Sequence, residues 1–247
     1  MRLAADFRSL AREVLRGKWK IAVLIGLVAS MLGAVAGMGP EVNVEIEASS
    51  VKASLELAGY TIFSTGGSIN SDWGAFMVGK YTYLMIAALI TGALYFVLGS
   101  IIAVGYAKFN LNLADQLEGT FENLFAYFSY WKTTAVARFL RNIYVLLWSL
   151  LFIIPGIMAS LSYAMTNYIL AENPQMSASE AITLSKQMMD GNKLRLFCLD
   201  ISFIGWDILC GLTLGIGYLW LTPYKQAARA AFYREVSGTE KQDFEIE

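Results

Sequence analysis

The sequence predicts an all-α polytopic membrane protein: about six transmembrane helices paired as three hairpins, with interfacial amphipathic helices and a small β-rich extracellular loop. Three observations predict it. Of the 247 residues, 56 % are hydrophobic and 16 % charged, and the mean hydropathy is +0.50, whereas soluble domains carry roughly 25 % charged residues. Apolar runs recur that approach or exceed the roughly 20 residues needed to cross a bilayer. The basic residues gather at one set of run ends, which is how a membrane chain records its orientation.

Residues 3–16 read as an interfacial helix. Leu3, Phe7, Leu10, Ala11, Val14 and Leu15 recur at helical spacing, with Arg8, Arg12 and Arg16 opposite. Together with Lys18 and Lys20 these arginines form a basic surface suited to lipid headgroups, unless the helix packs on the rest of the protein. Gly17 ends it, Trp19 marks the interface, and residues 21–38 form the first span.

Residues 39–80 change character. Val42, Val44 and Ile46 alternate with acids and Asn43, and Val51, Ala53, Leu55 and Leu57 repeat the alternation, which is the pattern of strands. Tyr60 to Thr65, followed by Gly66-Gly67, supplies a third strand and a turn. Glu41, Glu45, Glu47, Glu56 and Asp72 make this extracellular β-rich loop acidic.

Residues 81–107 are the second span. Residues 113–129 read as a second interfacial helix, too rich in acids to enter lipid. The third span, 136–154, carries Arg138 and Arg141 near its cytoplasmic end, where long side chains reach the headgroups. Pro155-Gly156 breaks the chain before the fourth span, 157–170. Ser177 and Glu180 form a capping box that starts an interfacial helix over 177–190, and Gly191 terminates it. The fifth and sixth spans cover 194–212 and 214–232.

Six spans place both termini on one side. All cations except Lys52 and Lys80 then fall on that side, which predicts N-in, C-in in a plasma membrane. Three times an amphipathic helix leads through a basic hinge (RGKWK, YWKTTAVAR, NKLR) into an apolar hairpin, a pattern of parallel repeats.

The stretches AREVLRGKWKIAV from Ala11 and LDISFIGWDILCGLTLGIGYLWLTPYKQAARAAFY from Leu199 resemble a family of multi-pass bacterial proteins, mostly from Firmicutes, catalogued as domain of unknown function number 975. The resemblance runs over nearly the whole chain. It implies a bacterial plasma-membrane protein of six or so spans and brings no activity, cofactor or site.

For chemistry, Asp200 and Asp207 lie seven apart in an apolar run, so one helix would present both on a single face about 10 Å apart. Charges at membrane depth face a partner or water. Asp200 therefore points to Lys193, Arg138 or Arg141 as a partner, and the candidate intramembrane polar site is Asp200, Asp207, Arg138 and Arg141. Cys198 and Cys210, about 18 Å apart on a helix, read as two buried apolar thiols. Gly33 and Gly37, and Gly211 and Gly215, have the spacing of close helix packing.

Enzyme classes are poorly served. The chain has no histidine, no HExxH, no Gly-x-Ser-x-Gly and no phosphate-cradling loop. The expected function is non-enzymatic, acting through lipid, self-association or a membrane-protein partner, with no cofactor, metal or nucleic acid. A small-solute, ion or proton pathway using Asp200 and Asp207 is the alternative. A third reading is an envelope-stress or cationic-peptide resistance factor that uses the acidic loop.

Overall fold

The computed structural model describes residues 2–35, 40–47, 50–57, 60–68 and 82–238. Its core is helical. Helix α1 (Ala4–Val14) begins where the Asp6 carboxylate accepts from the Leu3 amide at 2.7 Å, and it turns at Gly17 (φ +80°) into α2 (Trp19–Met31). Phe7, Ala11 and Leu15 are fully buried, and Phe7 meets Phe232 edge-on at 5.3 Å. The apolar face of α1 thus packs on protein, while Arg12, Arg16 and Lys20 stay exposed.

The helix expected over 21–38 is shorter than its apolar run. Helix α2 stops at Met31, and Gly33 (φ +82°) turns the chain. A Cβ on Gly33 would meet the Tyr95 ring at 2.6 Å, so this position serves a turn rather than a helix-helix seam. Gly37 lies outside the described residues.

Strands β1 (Pro40–Glu47), β2 (Ser50–Leu57) and β3 (Tyr60–Ser68) form an antiparallel sheet in the order β1-β2-β3. The register sets Val42 opposite Leu55, with an irregularity between Leu55 and Glu56 on the β3 side. Gly66 and Gly67 lie within β3, opposite Lys52 and Val51, rather than in the expected turn.

Helix α3 (Thr82–Ala114) has 33 residues, about 50 Å of helix, more than a bilayer core requires. Its second half is the centre of the molecule. Ile101, Ile102, Phe109, Leu111 and Leu113 are almost fully buried there, while Leu89, Ile90 and Leu94 in the first half are exposed.

The interfacial helix expected over 113–129 does not form. Instead α3 ends at Ala114, Gln116 takes φ +59°, and two short 3₁₀ turns follow at Phe121–Leu124 and Phe128–Tyr130. Packing overrides the amphipathic pattern: the Leu124 carbonyl sits where a Cβ on Gly105 would be, and Gly119 lies against the Phe109 ring.

Helix α4 (Trp131–Leu151) begins five residues earlier than expected, and Phe152 breaks it in an extended conformation. Pro155 lies in the first turn of α5 (Ile153–Ser162), where a missing N–H costs little. A turn at 163–165 separates α5 from α6 (Thr166–Glu172). Helix α7 (Ala178–Met188) starts at the predicted capping box, in which the Glu180 amide donates to Ser177 Oγ at 3.3 Å and the Ser177 amide to Glu180 at 3.0 Å. Gly191 follows with φ +76°.

The helix expected over 194–212 is interrupted. Helices α8 (Lys193–Ile201) and α9 (Ile204–Leu212) have nine residues each and are separated at Ser202-Phe203. The last helix, α10 (Tyr218–Ser237), starts four residues later than expected, because Leu214 (φ +53°) and Gly215 (φ +85°) make a turn. Gly211 has nothing within 4 Å of a Cβ, so this pair does not mark close packing either. Cys198 is exposed and only Cys210 is buried, because the break turns the two thiols to different surroundings.

Three helical stretches among the described residues are long and apolar enough to cross a membrane: Leu89–Ala114, Phe121–Leu151 and Ile153–Glu172. Trp19–Met31 is apolar but shorter. The first and last described segments come together, with the Arg2 amide 3.5 Å from the Glu235 carboxylate.

Candidate functional site

The two carboxylates sit on α8 and α9, on either side of a break, and each has a cation from α10. Asp207 accepts from Lys225 Nζ at 2.6 and 2.7 Å. Asp200 accepts from Arg229 Nε at 3.0 Å and from Nη2 at 2.9 Å to both oxygens. A returning hairpin explains the pairing: the acid nearer the turn meets the nearer cation, and the farther acid meets the cation one helical turn beyond. All four side chains are about a third exposed, between 29 % and 37 %. Lys193, Arg138 and Arg141, the partners expected for Asp200, do not hold it. Sequence reasoning missed Lys225 and Arg229, although their spacing of four along α10 was readable.

Arg141 lies at the midpoint of α4 and Arg138 about two turns from its start, because the helix begins at Trp131. Arg138 Nη2 donates to the Gly33 carbonyl at 2.9 Å, and its guanidinium lies 5.3 Å from the Phe96 ring centre. Its Nη1 is buried without a partner among the described residues. A Cβ on Gly99 would meet that nitrogen at 2.6 Å, so the glycine makes room for it.

Arg141 faces a cavity of about 700 Å³, within the range of small-molecule sites. The Asp200–Arg229 pair, Asn142, Asn167 and Gln226 share its wall. Tyr168, also on the wall, is buried and donates its hydroxyl to Gln226 Oε1 at 3.2 Å. Tyr106 lines it too; its buried hydroxyl has no hydrogen-bond partner among the described residues. Of the four residues expected to form one polar site, the structure brings Arg141 and Asp200 to this cavity. Arg138 and Asp207 do not line it, so the expected single site divides.

Elsewhere on α10, Arg234 ties three segments together. It pairs with Asp115 at 2.6 Å, just after α3, and with Glu172 at the end of α6. Tyr233 also donates to Glu172. Burial first, and then the Glu172 carboxylate, raise the Tyr233 phenol, so its hydroxyl stays protonated and acts as the donor. Arg195 pairs with Glu235 and lies against the rings of Phe7 and Phe232. In the basic N-terminal stretch, Arg8 donates to the Ser202 carbonyl at 3.3 Å and Lys18 to the Leu117 carbonyl at 3.1 Å. Two of its five cations therefore also brace the fold. Among the described residues, no three Asp, Glu or Cys side chains converge as a metal site would require.

The model of a family described as protein of unknown function (DUF975) matches residues 150–240. That stretch contains Asp200, Asp207, Lys225 and Arg229 but not Arg138, Arg141 or the basic N-terminal segment, so the expected full-length resemblance is matched over the C-terminal part. No curated protein and no solved structure matches the chain.

Proposed function

We propose that this chain, whose residues 150–240 match the DUF975 family model, is a non-enzymatic multi-pass protein of the bacterial plasma membrane whose helical bundle receives a small polar molecule or headgroup. One observation carries this reading: a cavity of about 700 Å³ that reaches both an ion pair and an arginine placed mid-way along a candidate span. Ionisable groups at membrane depth are costly and mark polar pathways or binding sites.

The reading departs from a pathway through both aspartates. Asp207 belongs to a separate ion pair, and the pairing of each acid with a cation favours structural roles for the acids themselves. The approach of Arg2 to Glu235 supports both ends lying on one side, and the excess of cations in the flanking segments supports that side being the cytoplasm.

Cysteine accessibility tests it. In a background with Cys198 and Cys210 replaced by Ser, a membrane-impermeant maleimide is expected to label Asn167→Cys on the cavity wall and to leave Leu150→Cys, an outward-facing position of α4, unlabelled. Equal protection of both positions in intact membranes would remove the polar cavity from the account.

A further inference from the structure

The charge balance at the cavity suggests what it receives. Its one carboxylate among the described residues, Asp200, already binds Arg229 through both oxygens. Arg141 has neither ion pair nor hydrogen bond among the described residues. It stands ten residues from each end of α4, about 15 Å from either, where hydrocarbon surrounds a spanning helix. Arg138, one turn away, adds a second cation held by neutral groups, a backbone carbonyl and an aromatic face. The wall itself, with Arg141 and Arg229 against Asp200, carries a net positive charge in a low-dielectric setting, where a fixed positive charge without a counterion is expensive.

A cation entering here would meet repulsion and a carboxylate already occupied. A neutral solute would leave Arg141 uncompensated. An oxyanion resolves both, because the planar guanidinium fork matches phosphate and carboxylate oxygens. The mouth also indicates a route. Leu146 lines the cavity yet is 58 % exposed on the outer face of α4, and Ser149 and Ser160 line it from exposed positions on α4 and α5. The opening thus lies on a flank of the bundle that would face lipid.

We infer that the cavity binds the oxyanion of an anionic headgroup on Arg141, reached sideways between α4 and α5. This rests on the cavity reading above and adds the charge class and the route. The full-length protein in phosphatidylcholine nanodiscs provides the test. Dihexanoyl phosphatidylglycerol is expected to raise Tm by about 5 °C or more at saturation, and dihexanoyl phosphatidylcholine to leave it unchanged. Arg141→Gln is expected to lower the phosphatidylglycerol affinity at least about tenfold, the loss of a charge-assisted hydrogen bond. Arg141→Lys keeps the charge without the fork and retains part of that affinity, and Lys225→Gln, outside the cavity, retains all of it.

Inorganic phosphate separates the sources. Stabilisation by phosphate with the same Arg141 dependence supports an anion drawn from water, whereas stabilisation by the lipid alone supports lateral capture. If neither anion stabilises the protein, or if wild type, R141K and R141Q respond equally, the inference is overturned. The cavity reading then survives if Asn167→Cys is still labelled, and falls with the inference if it is not.

Discussion

Arg141 and Arg234 are cations of the same helical body in opposite circumstances. Arg234, with 11 % of its side chain exposed, is clamped by Glu172 and Asp115 where the ends of α3, α6 and α10 meet. Arg141, mid-way along α4, faces a cavity and has no acid of its own among the described residues. Folding normally satisfies a buried charge from within, as it does for Arg234. Where it does not, the missing counterion has to come from outside the described fold, and that contrast separates a structural charge from a receptive one.

The contrast breaks most readily at Arg234. Replacing it with Leu leaves two carboxylates uncompensated and is expected to cost about 3–5 kcal/mol. In detergent this reads as a Tm lowered by about 10 °C, and a fall of less than 2 °C would mean that the clamp is dispensable. Arg141→Leu is the opposite case. Removing an uncompensated charge is expected to leave Tm unchanged or raise it by the equivalent of about 1 kcal/mol. A loss as large as that of Arg234→Leu would show that Arg141 already has a structural partner.

The aspartates sharpen the comparison at a smaller scale. Both ion pairs are about a third exposed, so solvent screening limits each to roughly 1 kcal/mol or less. Asp200→Asn is expected to cost more than Asp207→Asn, because Asp200 loses a forked guanidinium contact and Asp207 a single ammonium. Equal Tm shifts, or the reverse order, would contradict that.

An effect of similar size belongs to the α7 cap. Ser177→Ala is expected to cost about 1 kcal/mol. The Ser177 backbone N–H, and then its hydroxyl, hold the Glu180 carboxyl below the usual Glu value. Because the folded pKa is the lower one, the contribution is present above the ordinary carboxylate pKa and disappears as pH falls through the depressed folded value. The Tm difference between wild type and Glu180→Gln should therefore narrow as pH drops below about 4. A gap that widens instead would contradict the assigned direction.

Local signals were legible from the residues alone. Gly17 and Gly191 were placed correctly as helix terminators, and Ser177 and Glu180 as a cap, because each depends on neighbours within a few positions. The alternating 40–57 segment pairs as strands in an antiparallel register. Two kinds of reading went astray. The apolar run 194–212 reads as one continuous helix, but Ser202-Phe203 interrupts it without a sequence marker, while the expected breaks at Pro155-Gly156 and after Leu212 are shifted to Phe152 and to Leu214-Gly215. The amphipathic pattern of 113–129 was overridden by the close approach of Leu124 to Gly105 on another element. The polar site was half legible: Arg141 and Asp200 were singled out, and Arg229, Tyr168 and Gln226 were not.

The sequence by itself determined that long apolar segments alternate with basic hinges, because hydropathy and charge are sums over neighbouring residues and need no fold to be read. Only the tertiary structure decided which charges are satisfied. Pairing depends on which helix returns beside which, and that geometry gave Asp200 to Arg229 and Asp207 to Lys225, and left Arg141 facing the cavity.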